Sequence, residues 1–178
     1  MGHVGIAYLL FLVYDRGRKL EVRDPGMLFV LLLGSLFPDL IDKPLAWHLG
    51  LLPTGRSLAH SLLFLVPVCL AVYALARHRG KPVWGIAFGI GAISHTLVDA
   101  APVLWDPHAT AGFLLYPLRD VEPYGNGSPT VLGLFLDSLS NPYFLSEFVF
   151  LGIALLLWRS RGYPGIQAFR GAVSGFRS

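Results

Sequence analysis

The chain has 178 residues, of which 54% are hydrophobic and only 14% charged, against roughly 25% charged residues in an ordinary soluble domain. That excludes a typical soluble domain and, by the same apolar excess, a disordered chain. The net charge of +3 and the pI near 9.2 come from short basic clusters between apolar runs rather than from one basic face, so no nucleic-acid partner is expected.

Apolar runs fall at 3–14, 26–37, 58–76, 83–105 and 143–158. They predict an all-α fold: a polytopic membrane bundle of about five helices, forming a single domain over 1–178. The third and fourth runs are long enough for a hydrocarbon core of about 30 Å at about 1.5 Å per residue. The other three are short, yet five such runs leave too little polar sequence to cover a soluble core. No basic residue precedes the first run and no small-residue cleavage site follows it, so the N-terminus is expected to stay in the mature protein. Gly85, Gly89 and Gly91 give the fourth run a small face for a neighbouring helix. The stretch 106–130, rich in Pro and Gly, reads as one long loop. Trp47, Trp84, Trp105 and Trp158 fall near predicted helix ends, where an interfacial belt explains them. Cys69 is the one cysteine and cannot form an intramolecular disulfide, so packing or bound metal must hold the fold.

Basic residues set the expected orientation. The segments 15–25, 77–82 and 159–178 carry Arg16, Arg18, Lys19, Arg23, Arg77, Arg79, Lys81, Arg159, Arg161, Arg170 and Arg177, eleven of the fourteen Lys and Arg. The opposite side keeps Lys43, Arg56 and Arg119, together with Asp39, Asp42, Asp99, Asp106, Asp120, Glu122, Asp137 and Glu147. An N-terminus outside and a C-terminus inside the cytoplasmic membrane follow, with 38–57 and 106–142 outside.

Ionisable groups in or beside membrane helices are costly, and here they collect on that outer side. His3 opens helix one, Asp39 and Asp42 follow helix two, His60 opens helix three, His95 and Asp99 lie near the end of helix four, and Glu147 lies near that of helix five. Counted from the cytoplasmic ends at about 1.5 Å per residue, the heights of His3, Asp39, His60, His95 and Glu147 agree within about 8 Å. They describe a polar cup just below the outer boundary, holding a metal site near the extracytoplasmic side. His95 and Asp99 are four apart, hence on one helix face, which makes a compact half-site for a divalent ion. That spacing alone is more often a helix hydrogen bond; convergence of His3, Asp39 and His60 from three other helices raises its weight.

The Leu-Phe-Pro-Asp run ending at Asp39 with Asp42 after it, the segment Arg56-Ser-Leu-Ala-His60-Ser61, the run Ser94-His95-Thr-Leu-Val-Asp99 and the N-terminal His3 occur in this order. In them the chain resembles the YdjM-like membrane-bound metal-dependent hydrolases, from His3 to about Pro117. That family is in turn similar to zinc-dependent phospholipases C and single-strand nucleases. The resemblance implies metal-site roles for His3, Asp39, His60, His95 and Asp99. Where the family commonly carries a His before the Arg of the third motif, this chain has Gly55. Asp42, His48 or Glu147 could compensate, or the site could hold fewer ions.

The candidate ligands are therefore His3, Asp39, Asp42, His60, His95 and Asp99, for one to three divalent ions with zinc favoured. Asp42 reads equally as a partner that orients a ligand His or as a solvated acid. Asp39 could instead be the base that activates a water. Arg56 could clamp a phosphate oxygen or snorkel to the surface. Glu147 could complete the site or pair with Arg56 or Arg119, and His48, His78 and His108 read as plain loop residues. The resemblance implies hydrolysis of phosphate esters in membrane lipids or lipid-linked molecules through a metal-activated water. A divalent-cation transporter, and a non-catalytic membrane protein whose polar cluster ties helices together, are the alternatives. No His-Glu-x-x-His, Gly-x-Ser-x-Gly or P-loop pattern is present.

Overall fold

In a computed structural model, residues 2–16, 25–123, 130, 132, 133, 136, 139 and 142–165 are described. Five long helices run in order: α1 (Gly2–Arg16), α2 (Pro25–Trp47), α3 (Leu62–His78), α4 (Pro82–Ala100) and α5 (Pro142–Ser160). Two short 3-10 turns, Ala101–Leu104 and Gly112–Leu115, follow α4, and no strand occurs among the described residues. The all-helical expectation holds. The basic segment 17–24, much of the loop after Pro123 and the tail from 166 onward lie outside the described residues.

Three boundaries differ from the sequence expectation, each for a local reason. Helix α2 does not stop at Phe37 but continues through Pro38 and Pro44 to Trp47, placing Asp39 and Asp42 on the helix itself. A proline removes one intrahelical hydrogen bond and crowds the preceding turn without ending a helix that packing holds in place. Helix α3 begins at Leu62 rather than 58, because Ser61 caps it by accepting from the Leu63 N–H. His60 therefore lies in the turn before α3. Helix α4 tightens after Ala100 into a 3-10 turn containing Pro102.

Helix α4 is central, packing on α1, α2 and α3, while α5 lies along α1. Small residues make these approaches possible. A Cβ on Gly85 would strike the Tyr73 backbone of α3, and one on Gly91 would strike the Leu31 carbonyl and Ser35 amide of α2. Gly89 faces open space, so two rather than three of the predicted glycines serve packing. Gly5 allows α1 to meet the Leu151 backbone of α5 in the same way. Around Phe11, Leu31 and Ala87 the helices α1, α2, α4 and α5 share one apolar core, and Leu65, Cys69, Phe88 and Ala92 form a second between α3 and α4.

Many large apolar side chains face outward, among them Val13, Phe29, Leu70, Leu97, Val149 and Leu156. Among the described residues one stretch, Pro82–Leu104, is long and apolar enough to cross a membrane; Leu62–His78 is apolar but shorter than expected because of its Ser61 cap.

Candidate metal centre

The start of α1, the far half of α2, the turn before α3, the far half of α4 and the first turns of α5 meet at one end of the bundle, and the His and Asp residues meet with them. The opposite end carries Arg16, Arg77, Arg79, Lys81 and Arg159, and there Arg161 approaches Asp15 at 3.7 Å.

The base of the site is dry. Asp42 and His60 are fully buried and His95 is almost so. The Asp42 carboxylate accepts from the backbone N–H groups of Ser57 (2.8 Å), Ala59 (2.8 Å) and His60 (3.2 Å), and from the ring Nδ1 of His60 at 2.8 Å. This shapes the turn that carries His60 and fixes the ring that leaves it. Burial opposes a charged His60, but the hydrogen bonds from Asp42 and Asp99 outweigh it and raise the imidazole pKa. His95 donates from Nδ1 to the Ser35 carbonyl at 2.7 Å.

With both Nδ1 atoms engaged, the Nε2 atoms of His60 and His95 face each other at 3.2 Å. Asp39 Oδ1 lies 3.7 Å from each, and Asp99 Oδ2 lies 3.2 Å from His60 and 3.7 Å from His95. Zinc bonds of about 2.0–2.2 Å to nitrogen and oxygen place the corners of a regular tetrahedron about 3.3–3.6 Å apart. The separations of 3.2–3.7 Å lie close to those edges, so the two imidazoles and a carboxylate beside them are spaced as ligands of one divalent ion. The donor set fits too, since a ligand imidazole ordinarily has its other nitrogen held by a carboxylate or carbonyl.

His3 stands beside this cage. Its Nε2 meets Asp99 Oδ1 at 3.2 Å, its Nδ1 lies 3.7 Å from Glu147 Oε2, and its ring lies 4.1 Å from that of His95. Two compact groupings of possible ligands result, His3 with His95 and Asp99, and Asp39 with His60 and His95. Asp42 belongs to neither, for its oxygens are taken by the Ser57–His60 turn. Glu147 accepts from the Gly2 N–H at 3.0 Å, an approach so close that any Cβ on Gly2 would collide with Glu147.

The matching family model is described as YdjM inner membrane protein and covers residues 1–164. The chain belongs to this family. No curated protein and no solved structure matches it. The YdjM match includes all five helices and every residue of the cluster, a longer span than the stretch to Pro117 on which the sequence motifs rest.

At the water-facing rim, Arg56 Nε forms an ion pair with Asp99 Oδ2 at 3.0 Å, and Lys43 reaches Asp39 Oδ2 at 2.6 Å. Sequence alone put Lys43 on this side of the bundle without a role at the site. Its only signal was the i, i+4 spacing from Asp39, which mattered once α2 was seen to continue past Pro38. The Ser61 hydroxyl also donates to the Tyr116 carbonyl at 2.6 Å, holding the 112–117 segment against the site with Phe113 edge-on to His60. His48, His78 and His108 are exposed and outside the cluster, though His78 closes α3 rather than lying in a loop.

Proposed function

We propose that this YdjM-family protein is a membrane-bound, metal-dependent hydrolase of phosphate esters carried by lipids or lipid-linked molecules. The observation that carries this reading is the cage of Asp39, His60, His95 and Asp99, in which the two Nε2 atoms lie 3.2 Å apart and each carboxylate has an oxygen within 3.7 Å of both. A bound zinc-like ion would supply Lewis acidity and an acidified water. The protein's own groups would do the rest. Asp42 and the Ser35 carbonyl orient the two imidazoles. Asp39, more exposed than Asp99, would take a proton from the water whose oxygen forms the new P–O bond, and that proton would pass to the leaving alcohol oxygen as the ester P–O bond breaks. Arg56 would offer its remaining guanidinium N–H donors to a phosphoryl oxygen.

The outward apolar side chains and the family's description as an inner membrane protein support a site at the lipid boundary. The basic residues at the opposite end support an extracytoplasmic site, with the N-terminus outside and the C-terminus inside. A reporter fused after Ser178 should then read cytoplasmic.

The test is metal content by elemental mass spectrometry, followed by hydrolysis of phosphate esters, for wild type and a His60→Ala, His95→Ala double variant in detergent. Metal and activity in the wild type, both lost in the variant, support the reading. Metal without hydrolysis of any ester favours a cation carrier, and no metal after reconstitution leaves a polar cluster that ties helices together.

A further inference from the structure

Lys43 and Arg56 stand at the mouth of the site, one on each of the two carboxylates of the cage. An exposed i, i+4 pair such as Lys43 with Asp39 is commonplace on helices and contributes little by itself. This one is constrained on three sides. Asp39 turns its other oxygen to His60 and His95, and the Lys43 ammonium lies 5.6 Å from the Trp47 ring centroid. A Cβ on Gly55 would come within 3.2 Å of Lys43 Cγ and of Trp47 Nε1. The Lys43 stem thus packs closely against the chain next to Arg56.

The placement of the charges is informative. The Asp42 and Glu147 carboxylates are buried behind the site, on His60 and on the Gly2 N–H, whereas Lys43 and Arg56 put their positive charge where the site meets water. Arg56 uses Nε for Asp99 and retains four further N–H donors; Lys43 retains two. We propose that these two residues form an anion clamp that receives a doubly charged phosphoryl group, so that the substrate is a phosphate monoester rather than a singly charged diester. This rests on the metal-site reading above and names the substrate class for it.

The test is titration of zinc-loaded protein in nanodiscs with inorganic phosphate and, in a second arm, with phosphatidic acid in the disc, against phosphatidylglycerol as the diester. Wild type should bind phosphate or phosphatidic acid in preference to the diester. Tighter binding of phosphatidic acid assigns the group to a lipid headgroup, and equal binding assigns it to a phosphate group whatever carries it. Lys43→Met and Arg56→Met should each weaken phosphate binding about tenfold or more, as expected on losing a charge-assisted contact, with zinc content unchanged, and Lys43→Arg should retain it. Unchanged phosphate affinity in Lys43→Met, preference for the diester, or no phosphate binding by zinc-loaded wild type would overturn the proposal. Loss of zinc in Lys43→Met would overturn it as well, assigning the lysine to holding Asp39. A wild type that takes up no zinc fails the metal-site reading instead.

Discussion

The Nε2 atoms of His60 and His95 meet at 3.2 Å while their Nδ1 atoms are held by Asp42 and by the Ser35 carbonyl. A carbonyl can only accept, so His95 must keep its proton on Nδ1, and its Nε2 lone pair faces the neighbouring ring. Two neutral rings so fixed would set lone pair against lone pair. A cation between them, or a proton on His60, resolves the conflict, and the raised pKa of His60 fits the second case when no metal is bound.

Asp42→Asn tests the support of the cage. The asparagine has one acceptor oxygen where the carboxylate has two, so at least one of the Ser57, Ala59 and His60 contacts must fail. Metal affinity should fall about 10- to 100-fold, the usual cost of losing a group that orients a ligand histidine, as measured by competition with a calibrated chelator.

Protons and metal should compete for His60. Because its hydrogen-bond partners favour the protonated ring, apparent metal affinity should rise with pH up to the His60 pKa and level off above it. Calorimetric titration across a pH series should show proton release on binding, diminishing at high pH. Affinity independent of pH would place His60 outside the coordination set.

Metal should stabilise the fold, since the cage joins α2, α4 and the turn before α3. At free zinc 100-fold above the dissociation constant the gain is about 2.7 kcal/mol, visible as a raised Tm in detergent. His95→Ala should show no zinc-dependent shift.

Packing of α4 yields a pair of opposite outcomes. Gly91→Leu drives a side chain into the Leu31 carbonyl and the Ser35 amide and should cost at least about 1–3 kcal/mol. Gly89→Ala enters open space and should be neutral or stabilising by up to about 1 kcal/mol. Thermal melts of the two variants check both signs, and Gly91→Leu should also loosen the site, because Ser35 holds His95.

The sequence by itself determined the helical segments and the end of the bundle at which polar residues gather. Both follow from local properties: runs of apolar residues, and a rise and turn per residue that put His95 and Asp99 on one face. Tertiary structure alone decided what each polar side chain does. The second apolar run ends at Phe37, whereas packing against α4 carries the helix on and brings Asp39, Asp42 and Lys43 onto it. Asp39 and Asp42 look alike in the sequence, yet one faces the histidine pair and the other is consumed by the turn that carries His60. Arg56 and Lys43 acquire their partners only where separate elements cross. Distances between helices are set by how ridges, glycines and caps fit together across the whole core, and no window of sequence contains that information.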